Sequence, residues 1–158
     1  MTSEAKKIGT NTSEELFQYA GLEIRFLLTS SDSNGAMSVF EFAVPANFKI
    51  PGPAHSNVGY EEMIYGVEGT LTWTVNGIDV EVAPGQALCI PRGATHRWAN
   101  NGSLPAKQLT VISPAVMGPE YFREVRQLLS AGGPPNPAAM AEAMKRHGMI
   151  PVLPPSTT

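Results

Sequence analysis

The chain runs to 158 residues with a net charge of −3, 16% charged side chains and one cysteine, Cys89. That length makes one domain with a substantial core, and the acidic balance argues against nucleic acid or an anionic membrane surface as a main partner. A lone cysteine excludes an intrachain disulfide. No signal-like segment opens the sequence and no apolar run reaches membrane-spanning length, so a cytoplasmic protein is expected.

Residues 1–20 are a polar N-terminal segment, within which Ser13-Glu-Glu-Leu-Phe17 hints at a short turn or an edge segment. Leu22, Ile24, Phe26 and Leu28 then alternate with Glu23, Arg25 and Leu27, the pattern of a strand with one buried face. After a polar loop over 29–35, residues 37–44 repeat the pattern. Phe40, Phe42 and Val44 lie on one face, and Glu41 is expected to meet solvent on the other. A Pro-rich loop over 45–53 leads to His55. Strands follow at 62–66 and 70–75, where Asn76-Gly77 signals a type I′ hairpin into 78–82. Residues 88–90 form a short apolar strand closed by Pro91, another opens at His96, and the pattern resumes at 108–113.

Fifteen glycines and fourteen prolines suit many short strands joined by turns. With no helix between them, these strands predict an all-β antiparallel barrel or jelly roll over 21–115, without internal repeat. Beyond Pro114 the texture becomes helical. Phe122, Val125, Arg126 and Leu129 recur at helical spacing over 120–130, and Gly132-Gly133-Pro134-Pro135 should end that helix. Asn136 is a good N-cap with Pro137 at N1. It starts a second helix carrying Met140, Ala143, Met144 and His147 on one stripe and closed by Gly148. Residues 116–158 are therefore a C-terminal helical extension, packed on the outside or one mouth of the barrel, with an extended tail from Pro151.

The chemistry concentrates in two stretches. On a strand His55 and Asn57 share a face, and Glu62 opens the next strand, able to fold back opposite them. His96 emerges from a tight corner at Pro91-Arg-Gly93, with Trp98 pointing the same way. Two imidazoles and a carboxylate that converge are sufficient for a metal site. Trp98 shares parity with His96 and is expected in a substrate pocket.

These stretches resemble the cupin superfamily. Its first motif is Gly, five residues, His-x-His, three or four residues, Glu, six residues, Gly; here His55, Asn57, Glu62 and Gly69 fill the last four places. The second motif is Gly, five residues, Pro-x-Gly, two residues, His, three residues, Asn. Gly85, Pro91, Gly93, His96 and Asn100 match it throughout. The resemblance implies a cupin jelly-roll, or double-stranded β-helix, and a homodimer. The C-terminal extension narrows the likeness to small single-domain cupins resembling quercetin 2,3-dioxygenase-like proteins.

The resemblance also implies a metal held by His55, Asn57, Glu62 and His96, and the spacing to Gly69 selects Glu62 over Glu61 as ligand. Asn57 stands where the family has a second His, and an amide oxygen is a poorer ligand than imidazole. Either two His and one Glu carry the metal, or metal affinity is degraded; Asn57 is also free to contact substrate. The metal is expected to be one divalent transition ion, Fe, Mn, Ni or Zn, with Glu62 exchanging between ligand and catalytic base.

The leading expectation is a metal-dependent, dioxygenase-like oxidoreductase on a small aromatic or enolic substrate. The alternatives are a non-catalytic small-molecule-binding or sensing module and a metal-dependent isomerase or lyase. Outside the site, Cys89 is expected to be a buried structural thiol. Glu61 is expected at the surface or in an ion pair. Arg92 is expected at the surface, placed beside the corner to receive an anion, and His147 should serve the end of its helix.

Overall fold

The computed structural model describes residue 5 and residues 16–130 and 136–152. Within them the chain forms strands β1 (Leu16–Tyr19), β2 (Leu22–Leu28), β3 (Ser38–Val44), β4 (His55–Asn57), β5 (Glu61–Glu68) and β6 (Leu71–Val75). Next come β7 (Ile78–Val82), β8 (Ala87–Ile90), β9 (Thr95–Ala99) and β10 (Ala106–Ser113), then helices α1 (Pro119–Ser130) and α2 (Pro137–Arg146) and a last strand, β11 (Met149–Pro151). The strands make a six-stranded sheet, β1-β2-β3-β10-β5-β8, and a five-stranded sheet, β11-β4-β9-β6-β7. All pairings are antiparallel. The jelly roll expected from the strand spacing is therefore present, with the two helices after it.

Period-two alternation decides what each strand buries. In β3, Ser38, Phe40, Phe42 and Val44 face inward while Val39, Glu41 and Ala43 stay partly exposed, and Glu41 pairs at the surface with Arg25. β10 answers with Ala106, Gln108, Thr110 and Ile112 in register against them. Side chains such as Phe40, Ile64, Leu71 and Ile112 are fully buried, each stabilising by about 1.5–3 kcal/mol relative to exposure. One polar bridge joins the sheets. Trp73 on β6 donates its indole N–H to Gln108 Oε1 on β10 (2.8 Å), and Gln108 Nε2 donates to the Val82 carbonyl (3.2 Å).

The turns follow their sequence signals. Asn76 and Gly77 take φ of 49° and 82°, the left-handed pair that a type I′ hairpin needs. Gly69, the closing glycine of the first motif, sits at φ 62°, where a Cβ would lie 2.5 Å from the Pro105 carbonyl oxygen. Its place in the motif is thus a matter of backbone approach. Asn100, the closing residue of the second motif, is also structural: its amide donates to the Pro45 and Leu104 carbonyls (both 2.9 Å) and accepts from Gly102 N (3.0 Å).

One expectation is corrected. Cys89 is exposed rather than buried, because Leu88 and Ile90 turn inward along β8 and the residue between them must point out. The edge segment read around Phe17 is present: Leu16–Tyr19 is an edge strand zipped to β2. Pro151 is extended as read, and β11 pairs with β4 so that Pro151 lies opposite His55. Proline is tolerated there because β11 is an edge strand with one ladder to satisfy.

Asn136 caps α2, its side chain accepting from Ala138 N and Ala139 N, with Pro137 following. The Gly132–Pro135 helix stop, Ser13–Glu15 and the tail beyond residue 152 lie outside the described residues. The two helices lie against a barrel mouth: Phe122 of α1 joins the rings of Phe17, Phe26 and Phe40 at 5.4–6.1 Å. Among the described residues no helix is long and apolar enough to cross a membrane.

Candidate functional site

The site is assembled by register. β4 pairs with β9 so that His55 lies opposite His96, their ring centroids 4.5 Å apart. Glu62 enters from the other sheet, on β5 between Ile90 and Ile112. The corner before His96 is tied down by Gly93 N donating to the Asn57 carbonyl (2.9 Å) and Ala94 N to Pro91 O (3.1 Å). Four residues from three strands, named from sequence as a set, thus meet in space: Asn57, Glu62 and His96 are buried and His55 keeps some exposed surface.

Hydrogen bonding orients them. His96 Nδ1 sits 3.0 Å from the Ala94 carbonyl oxygen. An imidazole held this way carries its proton on Nδ1 and presents the Nε2 lone pair. Nε2 is 3.2 Å from Glu62 Oε2, yet it has no well-directed hydrogen-bond partner. In the neutral ring two acceptors face one another, and a proton on Nε2 converts the contact into a charge-assisted bond. The same Glu62 oxygen accepts from Asn57 Nδ2 at 3.0 Å, while Asn57 Oδ1 is buried without a partner.

The electrostatics follow. Burial works against the Glu62 carboxylate, but His96, then Asn57 and His55, outweigh it and hold its pKa below the ordinary 4.5. Burial likewise opposes a charged His96, but Glu62 and the Ala94 carbonyl raise its pKa above 6.5. His55 goes the other way: burial of its ring, then the neighbouring His96, bring it down to about 4. Burial thus favours the neutral form of His55, while Glu62 favours the charged form of His96 beside it. Among the described residues no three His, Cys, Asp or Glu side chains stand grouped as a metal-binding set; Glu62 is drawn to Asn57 and His96 instead.

These groups form the polar wall of a cavity of about 70 Å³. Its other walls are Ile24, Phe40, Phe42, Ile50, Trp73, Trp98, Met117 and Met149, with Tyr60, Tyr121 and Phe122. Trp98 lines the cavity as parity with His96 implied; Asn57 is not in the lining, its amide being taken up by Glu62. Glu61 points out and forms a two-pronged ion pair with Arg92 (2.5 and 2.8 Å), so Arg92 is already engaged. His147 ends α2 and contacts Glu124 (3.1 Å).

Sequence reasoning passed over two contributors. Tyr60 lines the cavity; its parity with Glu62 two residues on was the available signal. Burial, then the charge of Glu62, push its phenol well above the ordinary 10, so the hydroxyl stays protonated. Tyr121, pushed up to about 12 by burial and then Glu124, reaches the cavity from α1 together with Phe122. No local pattern announces which residues of a helix will close a barrel mouth.

Two antiparallel sheets rolled around a His–Glu–His wall, with both glycine motifs at the strand turns, define a cupin. The chain belongs to the cupin superfamily, and residues 41–112 match the cupin domain family model. It is 34% identical over 122 residues to tetracenomycin polyketide synthase protein TcmJ of Streptomyces glaucescens, covering 75% of this chain and 76% of that one. In fold it is similar to KdgF from Halomonas sp. (TM-score 0.58, 14% identity, 70% of this chain and 94% of the other). It is also similar to an RmlC-like cupin from Shewanella frigidimarina (TM-score 0.57, 17% identity, 70% and 93%). A third fold relative is Pac13, described as a unique nucleoside dehydratase (TM-score 0.56, 14% identity, 70% and 83%).

Proposed function

We propose that this protein is a metal-dependent cupin enzyme, a dioxygenase-like oxidoreductase acting on a small aromatic or enolic compound. The observation that carries the reading is His96 Nε2, buried in the cavity wall beside Glu62 with no directed partner. A nitrogen oriented from behind and left open in front suits a ligand or a base. Two imidazoles and a carboxylate are donors that Fe, Mn, Ni and Zn accept. His55, Glu62 and His96 would hold the ion, with Asn57, whose Oδ1 is also unpartnered, as the weaker fourth donor. Bound there, such a metal supplies Lewis-acid chemistry and, as iron, dioxygen activation.

The remaining work belongs to the chain. Trp98, Phe40 and Phe42 offer flat apolar walls to a ring and exclude water from it. Glu62, desolvated and hydrogen-bonded to Asn57, is the group that takes and returns a proton at the substrate. A cavity of about 70 Å³ is below the ~150 Å³ that accommodates benzene, so substrate entry displaces side chains. Met117 and Met149, flexible thioethers in the lining, are suited to yield. Polyketide chains carry repeated enolisable carbonyls, so kinship with a polyketide synthase protein supports the substrate class.

Elemental analysis of untagged wild-type protein should give near-stoichiometric metal, lost in His96→Ala and retained more firmly in Asn57→His. Wild type should then consume oxygen with members of an aromatic and enolic panel. Metal-loaded protein that consumes none across the panel would sink the dioxygenase reading. A second reading, a metal-dependent isomerase or lyase, draws on the Asn57–Glu62 hydrogen bond, which fixes a carboxylate for proton transfer without an oxidant. Turnover that persists without oxygen would select it.

A further inference from the structure

We infer that the Tyr60 hydroxyl is a substrate-binding donor, the group that takes the phenolic, enolic or carbonyl oxygen of the bound compound. The inference rests on the proposed reading of the cavity as a substrate site. Tyr60 is 0% exposed and lines the same cavity as Glu62 and His96. Its hydroxyl has no hydrogen-bond partner among the protein atoms. Buried tyrosines ordinarily find a partner for that group, and leaving it unmade carries a stability cost. Packing alone would be served as well by phenylalanine.

The backbone explains the direction. Tyr60 lies two residues before Glu62, and the burial alternation (buried, partly exposed, buried over 60–62) sends both side chains to the same side. The ring is also held in place. Gly148, at φ 76°, approaches it so closely that a Cβ there would lie 3.2 Å from Tyr60 Cε1 and 3.0 Å from Val116. Backed by Gly148 and 0% exposed, the phenol does not reach solvent for a partner. A buried donor beside the Glu62 carboxylate gives the cavity two complementary contacts for one oxygen-bearing ring. A hydrocarbon of the same shape can use neither.

Phenol and toluene separate this role from packing, since they share a ring and differ by hydroxyl against methyl. Wild-type protein and Tyr60→Phe are titrated with each by ligand-observed NMR. Phenol should bind wild type and weaken roughly fivefold to tenfold in Tyr60→Phe, while toluene changes less than twofold. Tyr60→Phe should melt no lower than wild type. Equal losses for both probes, an unchanged phenol affinity, no phenol binding to wild type, or a lower melting temperature would each overturn the inference. Metal content and oxygen uptake on the same preparations report separately. A metal-free, inactive wild type that still favours phenol through Tyr60 sinks the enzymatic reading and leaves this one standing. Unaltered phenol binding by Tyr60→Phe beside normal metal-dependent turnover does the reverse.

Discussion

Buried polar side chains divide into two kinds according to whether their hydrogen bonds close. Gln108 and Asn100 close theirs within the protein: Gln108 links Trp73 to the Val82 carbonyl across the sheets, and Asn100 stitches three loop groups. His96, Asn57, Tyr60 and Thr110 each leave an atom open; the first three belong to or border the polar wall of the cavity, whereas Thr110 is not in its lining. The first kind makes structure, and the open atoms at the cavity are the ones the proposed function would use. Gln108→Leu tests the distinction at a single residue. It removes the acceptor of Trp73 Nε1 and strands a buried N–H, so urea unfolding should record a loss of about 1–3 kcal/mol with metal content unchanged. A loss of metal in Gln108→Leu would mean the two kinds are coupled.

At the scale of the elements, α1 reaches both surface and site. Its inward side sends Tyr121 and Phe122 to the cavity, and its outward side carries Glu124, which pairs with Arg146 and His147 at the end of α2. Arg146, against the opposing effect of desolvation and with His147 assisting, holds the Glu124 pKa below 4.5. A carboxylate whose folded pKa is depressed contributes stability above its unfolded pKa and loses it as pH falls through the folded value. Glu124→Gln should therefore melt below wild type at pH 7, and the gap should close as both are acidified below pH 4. A gap that persists in acid would assign Glu124 a role other than this clamp. The exposed side chains involved are screened by solvent, so the effect belongs to the helix pair rather than to the barrel.

At the scale of the molecule, the outward face of the six-stranded sheet is unusually apolar. Met63, Tyr65 and Val67 of β5 are exposed; Met63 and Tyr65 have Cys89 and Ala87 of β8 on one side and Val111 and Leu109 of β10 on the other. We propose that a second copy covers this band in a homodimer. Sedimentation velocity should give about twice the 16.9 kDa chain mass, falling to the single-chain value in Tyr65→Glu. A wild-type monomer at working concentration would overturn it.

The alternation of 22–28 and 37–44, the Asn76-Gly77 turn and the Asn136-Pro137 helix start all appear where local pattern put them, because steric and capping rules act over a few residues. The His55, Glu62 and His96 positions were legible for the same reason: glycine and proline spacing fixes where a strand turns and which side chain it delivers. What contacts what was not legible. The thiol of Cys89 looked buried because composition was read in place of parity. Tyr121 reached the cavity only through the packing of a helix distant in sequence. By itself the sequence determined a jelly roll with two imidazoles and a carboxylate on facing strands, since periodicity and turn chemistry are local properties. Only the tertiary structure decided that Asn57 engages Glu62, that Tyr60 stands unpartnered, and that α1 closes the mouth, because those outcomes depend on how separate surfaces fill one volume.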